Sequence, residues 1–140
     1  MSTAGYSGTP LAKKLGIKDG HRLVVLGAPA GFDELLAPLP DGVRTGRRLG
    51  HDADVVVAFH TSRVRLESAF DRLRAGMHDG GGLWIAWPKR ASGVATDLTE
   101  DVVRAIALAR GLVDNKVCAI DETWSGLRLV VRVADRRRGG

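Results

Sequence analysis

Between Asp54 and Leu112 the chain passes through an apolar block, an amphipathic stretch, a second apolar block and a second amphipathic stretch. Residues 54–59 (Asp-Val-Val-Val-Ala-Phe) and 82–87 (Gly-Leu-Trp-Ile-Ala-Trp) do not alternate. Unbroken apolar blocks of this length suit parallel strands covered on both faces. Between them Leu66, Ala69, Phe70, Leu73 and Met77 recur at steps of three and four, with Arg65, Glu67, Asp71, Arg72 and Arg74 on the opposite side. That period predicts a helix, and Asp79-Gly80-Gly81-Gly82 reads as a flexible return to the next strand. Val102, Val103, Ile106, Ala109 and Leu112 predict a last helix. Its start is either Asp97 with Glu100 three residues on, or Thr99 with Leu98 and Val103 as a hydrophobic staple.

The flanks complete the pattern. Residues 9–16 read as one short helix, with Thr9 as cap, Pro10 at the first helical position and Gly16 closing it. Residues 22–26 read as the first strand and Gly27-Ala28-Pro29-Ala30-Gly31 as its exit loop. One or two helical turns over 32–37 end at Pro38 and Pro40, and 43–49 is at most a short edge strand. Beyond Gly111, residues 116–121 and 127–133 read as two strands joined across 122–126 in a hairpin. The expected fold is therefore a single three-layer, Rossmann-like α/β domain over residues 1–135, with a mainly parallel sheet and a C-terminal antiparallel hairpin. Residues 1–8 are expected to form a flexible lead and 136–140 a basic, disordered tail.

With 140 residues, 44% of them hydrophobic, the chain has material for one ordinary core. No apolar run approaches the ~20 residues of a bilayer span, and the first residues lack a charged leader and an apolar signal core. A cytoplasmic protein with no membrane association is expected. The single cysteine, Cys118, lies among Val117, Ala119 and Ile120 and reads as a structural thiol. The formal net charge of +5 invites a nucleic-acid reading. The arginines are nevertheless split between the 44–48 loop, the 136–138 tail and the helices, without an RNA-binding aromatic signature or a helix-turn-helix pattern. His21, His51, His60 and His78 are scattered and imply no metal set.

Two resemblances emerge. Residues 15–27 (Leu-Gly-Ile-Lys-Asp-Gly-His-Arg-Leu-Val-Val-Leu-Gly) resemble the entry to the first strand of class I S-adenosylmethionine (SAM)-dependent methyltransferases. The strand from Asp54, the glycine-rich return and the terminal hairpin are similar to later parts of that fold, so this distant likeness covers most of the chain. Residues 5–16, Trp87-Pro88-Lys89, 96–100 and 116–125 look like a bacterial family of small Rossmann-like proteins of unknown function, a likeness that implies no activity. The methyltransferase resemblance implies SAM held by a glycine-rich loop after the first strand and a carboxylate after the second. Here Pro29 offers no N–H, Ala28 and Ala30 add side chains, and residues 43–46 end without a carboxylate. Gly27 to Asp54 leaves room for one small helix and one short strand, a shortened middle relative to the family.

Ligands of open parallel sheets gather beyond the carboxyl ends of the strands. That edge collects the candidate ligand-binding residues Gly27, Pro29, Gly31, His60, Thr61, Trp87, Lys89, Arg90, Ser92, Glu122 and Trp124. His60 suits a general base, with a hydrogen-bonded structural histidine the favoured reading. Lys89, Arg90 and Ser92 can hold a phosphate, but Asp97, Glu100 and Asp101 crowd the same helix start, which favours ion pairs with Lys89 or Arg90. Trp84 and Trp87 fall on opposite faces of a strand as core residues. Trp124 either covers the domain's own edge or docks a ligand. A cis Trp87–Pro88 bond would turn Lys89 and Arg90 toward the rim. The leading expectation is a non-catalytic small-ligand- or protein-binding module that has lost its cofactor site, without cofactor, metal or catalytic residues. The alternatives are a divergent SAM-dependent methyltransferase and a basic module for nucleic acid or an acidic partner. A sheet edge, at 43–49 or in the hairpin, also offers itself to a second copy in a homodimer.

Overall fold

The structure, a computed structural model, describes residues 9–136. The expected flexible lead and all but the first residue of the expected tail lie outside the described residues. Six strands form one sheet: β1 (Arg22–Leu26), β2 (Arg44–Gly46), β3 (Ala53–Phe59), β4 (Met77–Pro88), β5 (Leu112–Ala119) and β6 (Trp124–Val131), in the order β2-β1-β3-β4-β6-β5. β2, β1, β3 and β4 are parallel, while β6 runs antiparallel to both β4 and β5. The Rossmann-like, mainly parallel architecture with its C-terminal hairpin is thus present, and β6 is the one reversed strand.

One face of the sheet carries α3 (Arg63–Ala75) and α4 (Glu100–Ala109) over Val56, Ile85, Trp87, Leu127 and Leu129. The other carries α1 (Leu11–Lys14) and α2 (Phe32–Leu36) over Leu23, Val55, Val57, Phe59 and Trp84. Strands buried on both faces explain why their sequences do not alternate. Trp84 and Trp87 sit in opposite layers, as their spacing predicts. Leu66, Phe70 and Leu73 of α3 are fully buried, and truncating Phe70 to alanine would cost about 3–5 kcal/mol.

Both long helices are capped. Ser62 Oγ accepts the N–H of Arg65 at 3.3 Å, and Thr99 Oγ1 accepts that of Val102 at 3.2 Å. Asp97, the other candidate cap for α4, instead accepts the N–H of Arg63 at 2.7 Å and ties the two helix starts together. Leu98 and Val103 are both buried in the same core, as a staple requires.

Several boundaries differ from expectation. Helix α3 stops at Ala75, Met77 opens β4, and the glycines expected as a flexible return are part of that strand. They are there for contact: a Cβ at Gly81 would stand 2.9 Å from the carbonyls of Ala53 and Asp54, where the β3–β4 register shifts. Thr9 does not cap α1, because Pro10 occupies the N-cap and no side chain bonds there. Trp124 belongs to β6 and not to the turn. The carboxylate of Asp121 accepts the N–H groups of Thr123 at 2.8 Å and Trp124 at 2.7 Å and closes the connection earlier. The Trp87–Pro88 bond is trans, since Pro88 continues β4 opposite Trp124, and the cis bond is Ala37–Pro38. No helix among the described residues is long and apolar enough to cross a membrane.

Candidate functional site

The chain leaves β1 for β2 on one side, while β3 lies on the other, so the carboxyl end of β1 is a topological switch point. Gly27 turns the backbone there with φ +70°, and a Cβ on it would meet the carbonyl oxygen of Phe59 at 3.1 Å. Only glycine combines that left-handed conformation with that approach. Pro29 lacks an N–H, but its carbonyl accepts that of Phe32 at 3.2 Å, and Gly31, with φ +88°, leads directly into α2.

Beneath α2 the loop opens on a cavity of about 460 Å³. Leu23 and Val25 form its floor, Leu36 and Leu39 its apolar wall, and Gly27, Ala28, Thr45 and Gly46 its rim. Asp33 alone of the lining residues carries a carboxylate, 3.2 Å from the guanidinium of Arg47, and both side chains are mostly exposed. Sequence reasoning missed Asp33, Thr45 and Arg47. The available signal was an acidic residue in the first turn of the helix that follows Gly31, where carboxylates and other anions are favoured.

His60 stands one residue beyond β3, its N–H bonded to the carbonyl of Ala86 at 2.9 Å. Its ring is half-buried and makes no hydrogen bond to a described residue, which corrects the expectation of a hydrogen-bonded structural histidine. Burial disfavours the imidazolium and pushes its pKa below the ordinary value. Phe32, Phe59 and Trp124 form an edge-to-face row with centroid separations of 5.0 and 5.1 Å. Trp124 therefore covers the domain's own edge.

The remaining candidates fall into other roles. Trp87 is buried on the α3/α4 face. Thr61 uses its carbonyl to accept Thr96 Oγ1 at 2.6 Å. Lys89 Nζ donates to the carbonyl of Asp121 at 2.7 Å, and Ser92 Oγ to that of Lys89 at 2.7 Å. The ion pairs expected for Lys89 and Arg90 do not form, because Glu100 and Asp101 both pair with Arg104 on the next turn of their own helix. Arg90 and Glu122 are exposed. Gly27, Pro29, Gly31 and His60 thus gather at the switch point, whereas Lys89, Ser92 and Trp124 brace the β4–β6 rim. Cys118 is part-buried with its pKa raised by burial, as suits a structural thiol. Among the described residues no group of three histidine, cysteine or acidic side chains is placed to hold a metal.

No family model matches the chain, and no curated protein matches it either. Solved structures do. A SAM-dependent methyltransferase from Aquifex aeolicus is similar with a TM-score of 0.63 at 15% identity, over 86% of this chain and 88% of that one. Magnesium protoporphyrin IX methyltransferase (ChlM) from Synechocystis PCC 6803 with bound SAH gives 0.54 at 13% identity, over 81% and 75%. The DhpI–SAH complex gives 0.56 at 12% identity, over 86% and 81%. At these identities the likeness shows the fold: this is the class I methyltransferase form of the Rossmann sheet.

The expectation of a cofactor-free binding module is overturned here. Chains with this fold are solved with SAM or SAH. In this chain the alanines and proline of the 27–31 loop do not fill the cavity. The shortened middle removed a strand and a helix but left β1, its glycine and the space beneath α2 in place.

Proposed function

We propose that this chain is a divergent SAM-dependent methyltransferase whose cofactor lies at the carboxyl end of β1. The observation that carries the reading is the 460 Å³ cavity opening at Gly27 on the switch point of the sheet. Its volume falls in the range of about 300–1,000 Å³ typical of small-molecule sites. The residues present fit the cofactor: Gly27 leaves the approach free of a side chain, Leu36 and Leu39 offer apolar surface, and Asp33 supplies a carboxylate.

SAM, when bound, supplies an electrophilic methyl group. Asp33 would accept hydrogen bonds from ribose hydroxyls, replacing the carboxylate that β2 lacks, with Arg47 holding it ionised beforehand. Because Pro29 removes one backbone donor, the hold rests on Asp33 and the apolar walls. His60, kept neutral by burial and with no protein partner for its ring among the described residues, is fit to take a proton from a hydroxyl or amine acceptor.

Calorimetric titration with SAM and SAH tests this. Micromolar binding is expected for the native chain, lost in Gly27→Val and weakened in Asp33→Ala, with circular dichroism confirming that both variants fold. Absence of heat with either ligand in the native chain would refute the reading.

A further inference from the structure

Four basic side chains, remote in sequence, meet on the α1 face of the sheet well away from the cavity. Arg128 on β6 lies directly opposite Trp84 of β4 on one side and opposite Lys116 of β5 on the other. Trp84 points into α1, where its Nε1–H donates to the carbonyl of Leu15 at 2.9 Å, so all three share that face. Lys116 Nζ donates to the carbonyl of Lys14 at 2.9 Å and Lys14 Nζ to that of Ala119 at 3.4 Å, which fixes both ammonium groups beside the strand pair. Arg136 stands close enough to repel Arg128, with its Nε bonded to the carbonyl of Val131 at 3.1 Å.

Arg128 is half-buried, and its guanidinium occupies the space of a missing side chain. A Cβ at Gly82 would stand 2.6 Å from its Nε and 2.8 Å from Nη2. Among the described residues, none of the four pairs with a carboxylate. Asp114, the acid nearest Lys116 in sequence, is engaged by Arg104. Like charges set opposite one another across a ladder are destabilising, and a partly desolvated guanidinium without a counter-ion is costly. A bound anion would remove both penalties.

We propose that this face is a binding site for a phosphate-bearing anion, anchored by Arg128 and flanked by Lys116, Lys14 and Arg136. The planar fork of arginine matches two phosphate oxygens at once, and the lysines add point charges. The site is independent of the cavity: β3 and β4 separate β6 from β1. A free polyphosphate and a nucleic-acid backbone share this chemistry.

The test titrates the full chain with tripolyphosphate and, separately, with a single-stranded oligonucleotide of roughly 20 nucleotides, at roughly 50 and 200 mM salt. Three variants accompany it: Lys116→Glu with Arg128→Glu; Gly82→Ala; and Arg44→Glu with Arg48→Glu as a control for general charge. Gly82→Ala collides only with a flexible guanidinium, so it displaces Arg128 while leaving the strand in place, and it serves should the double reversal fail to fold. Salt-sensitive binding of either probe is expected, about tenfold weaker in the double reversal, weaker in Gly82→Ala and changed by no more than about twofold in the control. Binding of the oligonucleotide alone assigns a nucleic-acid source, and binding of tripolyphosphate assigns a small polyphosphate. Failure of both probes to bind at the lower salt, or binding that falls equally in the control, overturns the proposal.

Discussion

Gly27 presses against Phe59 so closely that a Cβ on the glycine would stand 3.1 Å from the phenylalanine's carbonyl oxygen. The two residues continue neighbouring parallel strands, and the positive φ of Gly27 lets the chain turn without backing away from β3. Alanine at this position would cost roughly 1–2 kcal/mol from the left-handed backbone alone. Gly27→Ala should therefore lower the melting temperature by several degrees with unchanged circular dichroism. A melting temperature equal to that of the native chain would show that the loop relaxes freely and that the tight approach is not built in.

Trp84 and Trp87 give a matched pair for stability. Trp84 is completely buried and donates its indole N–H to the carbonyl of Leu15, itself in a fully buried residue, whereas the indole of Trp87 makes no hydrogen bond to a described residue. Trp84→Phe deletes a donor and leaves a buried carbonyl unpaired, costing roughly 1–3 kcal/mol beyond the lost packing. Trp87→Phe should lose only packing. Urea unfolding of the two variants should show the larger loss at Trp84, and the reverse ranking would mean that the bond to α1 contributes nothing.

Much of the sheet was legible because strands buried on both faces write themselves as unbroken apolar runs: 22–26 was placed to the residue, and 54–59 to within one. The helices were legible from period and caps, with Thr99 and Ser62 both capping. The glycines at 80–82 were misread because local chemistry makes such a run flexible, while tertiary contact makes it a close-packed strand. The site was half legible. Gly27, Gly31 and His60 follow from topology, but Asp33, Thr45 and Arg47 belong to the site only because α2 folds back over β1 and β2. The meeting of Lys14, Lys116 and Arg128 likewise follows from β6 inserting between β4 and β5, which no local pattern announces.

His60 supplies a pH dependence of known sign. Burial lowers its folded pKa below the 6.5 of the free side chain. The unfolded chain therefore binds the extra proton first, and the stability contribution is complete above 6.5 and lost as pH falls through the folded value. Unfolding free energies measured from about pH 5 to 8 should decline on the acid side in the native chain and flatten there in His60→Gln. Proton NMR of the ring gives the direct check, and a midpoint at or above 6.5 would contradict burial as the controlling term.

Asp54 carries the opposite chemistry at the amino end of the sheet. Its Oδ2 accepts the N–H of Arg22 at 2.8 Å and its Oδ1 faces His78 Nε2 at 2.7 Å, while the N–H of Gly80 donates to His78 Nδ1 at 3.0 Å. The ring proton therefore sits on Nε2, and one carboxylate joins β1, β3 and β4. Burial raises the pKa of Asp54, but the Arg22 and His78 hydrogen bonds and the charges of His21 and His78 outweigh it and hold the value below 3.8. A depressed folded pKa gives stability that is present above 3.8 and lost as pH falls through the folded value. Asp54→Asn keeps an oxygen for Arg22 but removes the charge, so it should be less stable than the native chain near neutrality and converge with it on acidification. A stability gap that stays constant down to about pH 3 would place the cost in the lost hydrogen-bond geometry and not in the ionised carboxylate.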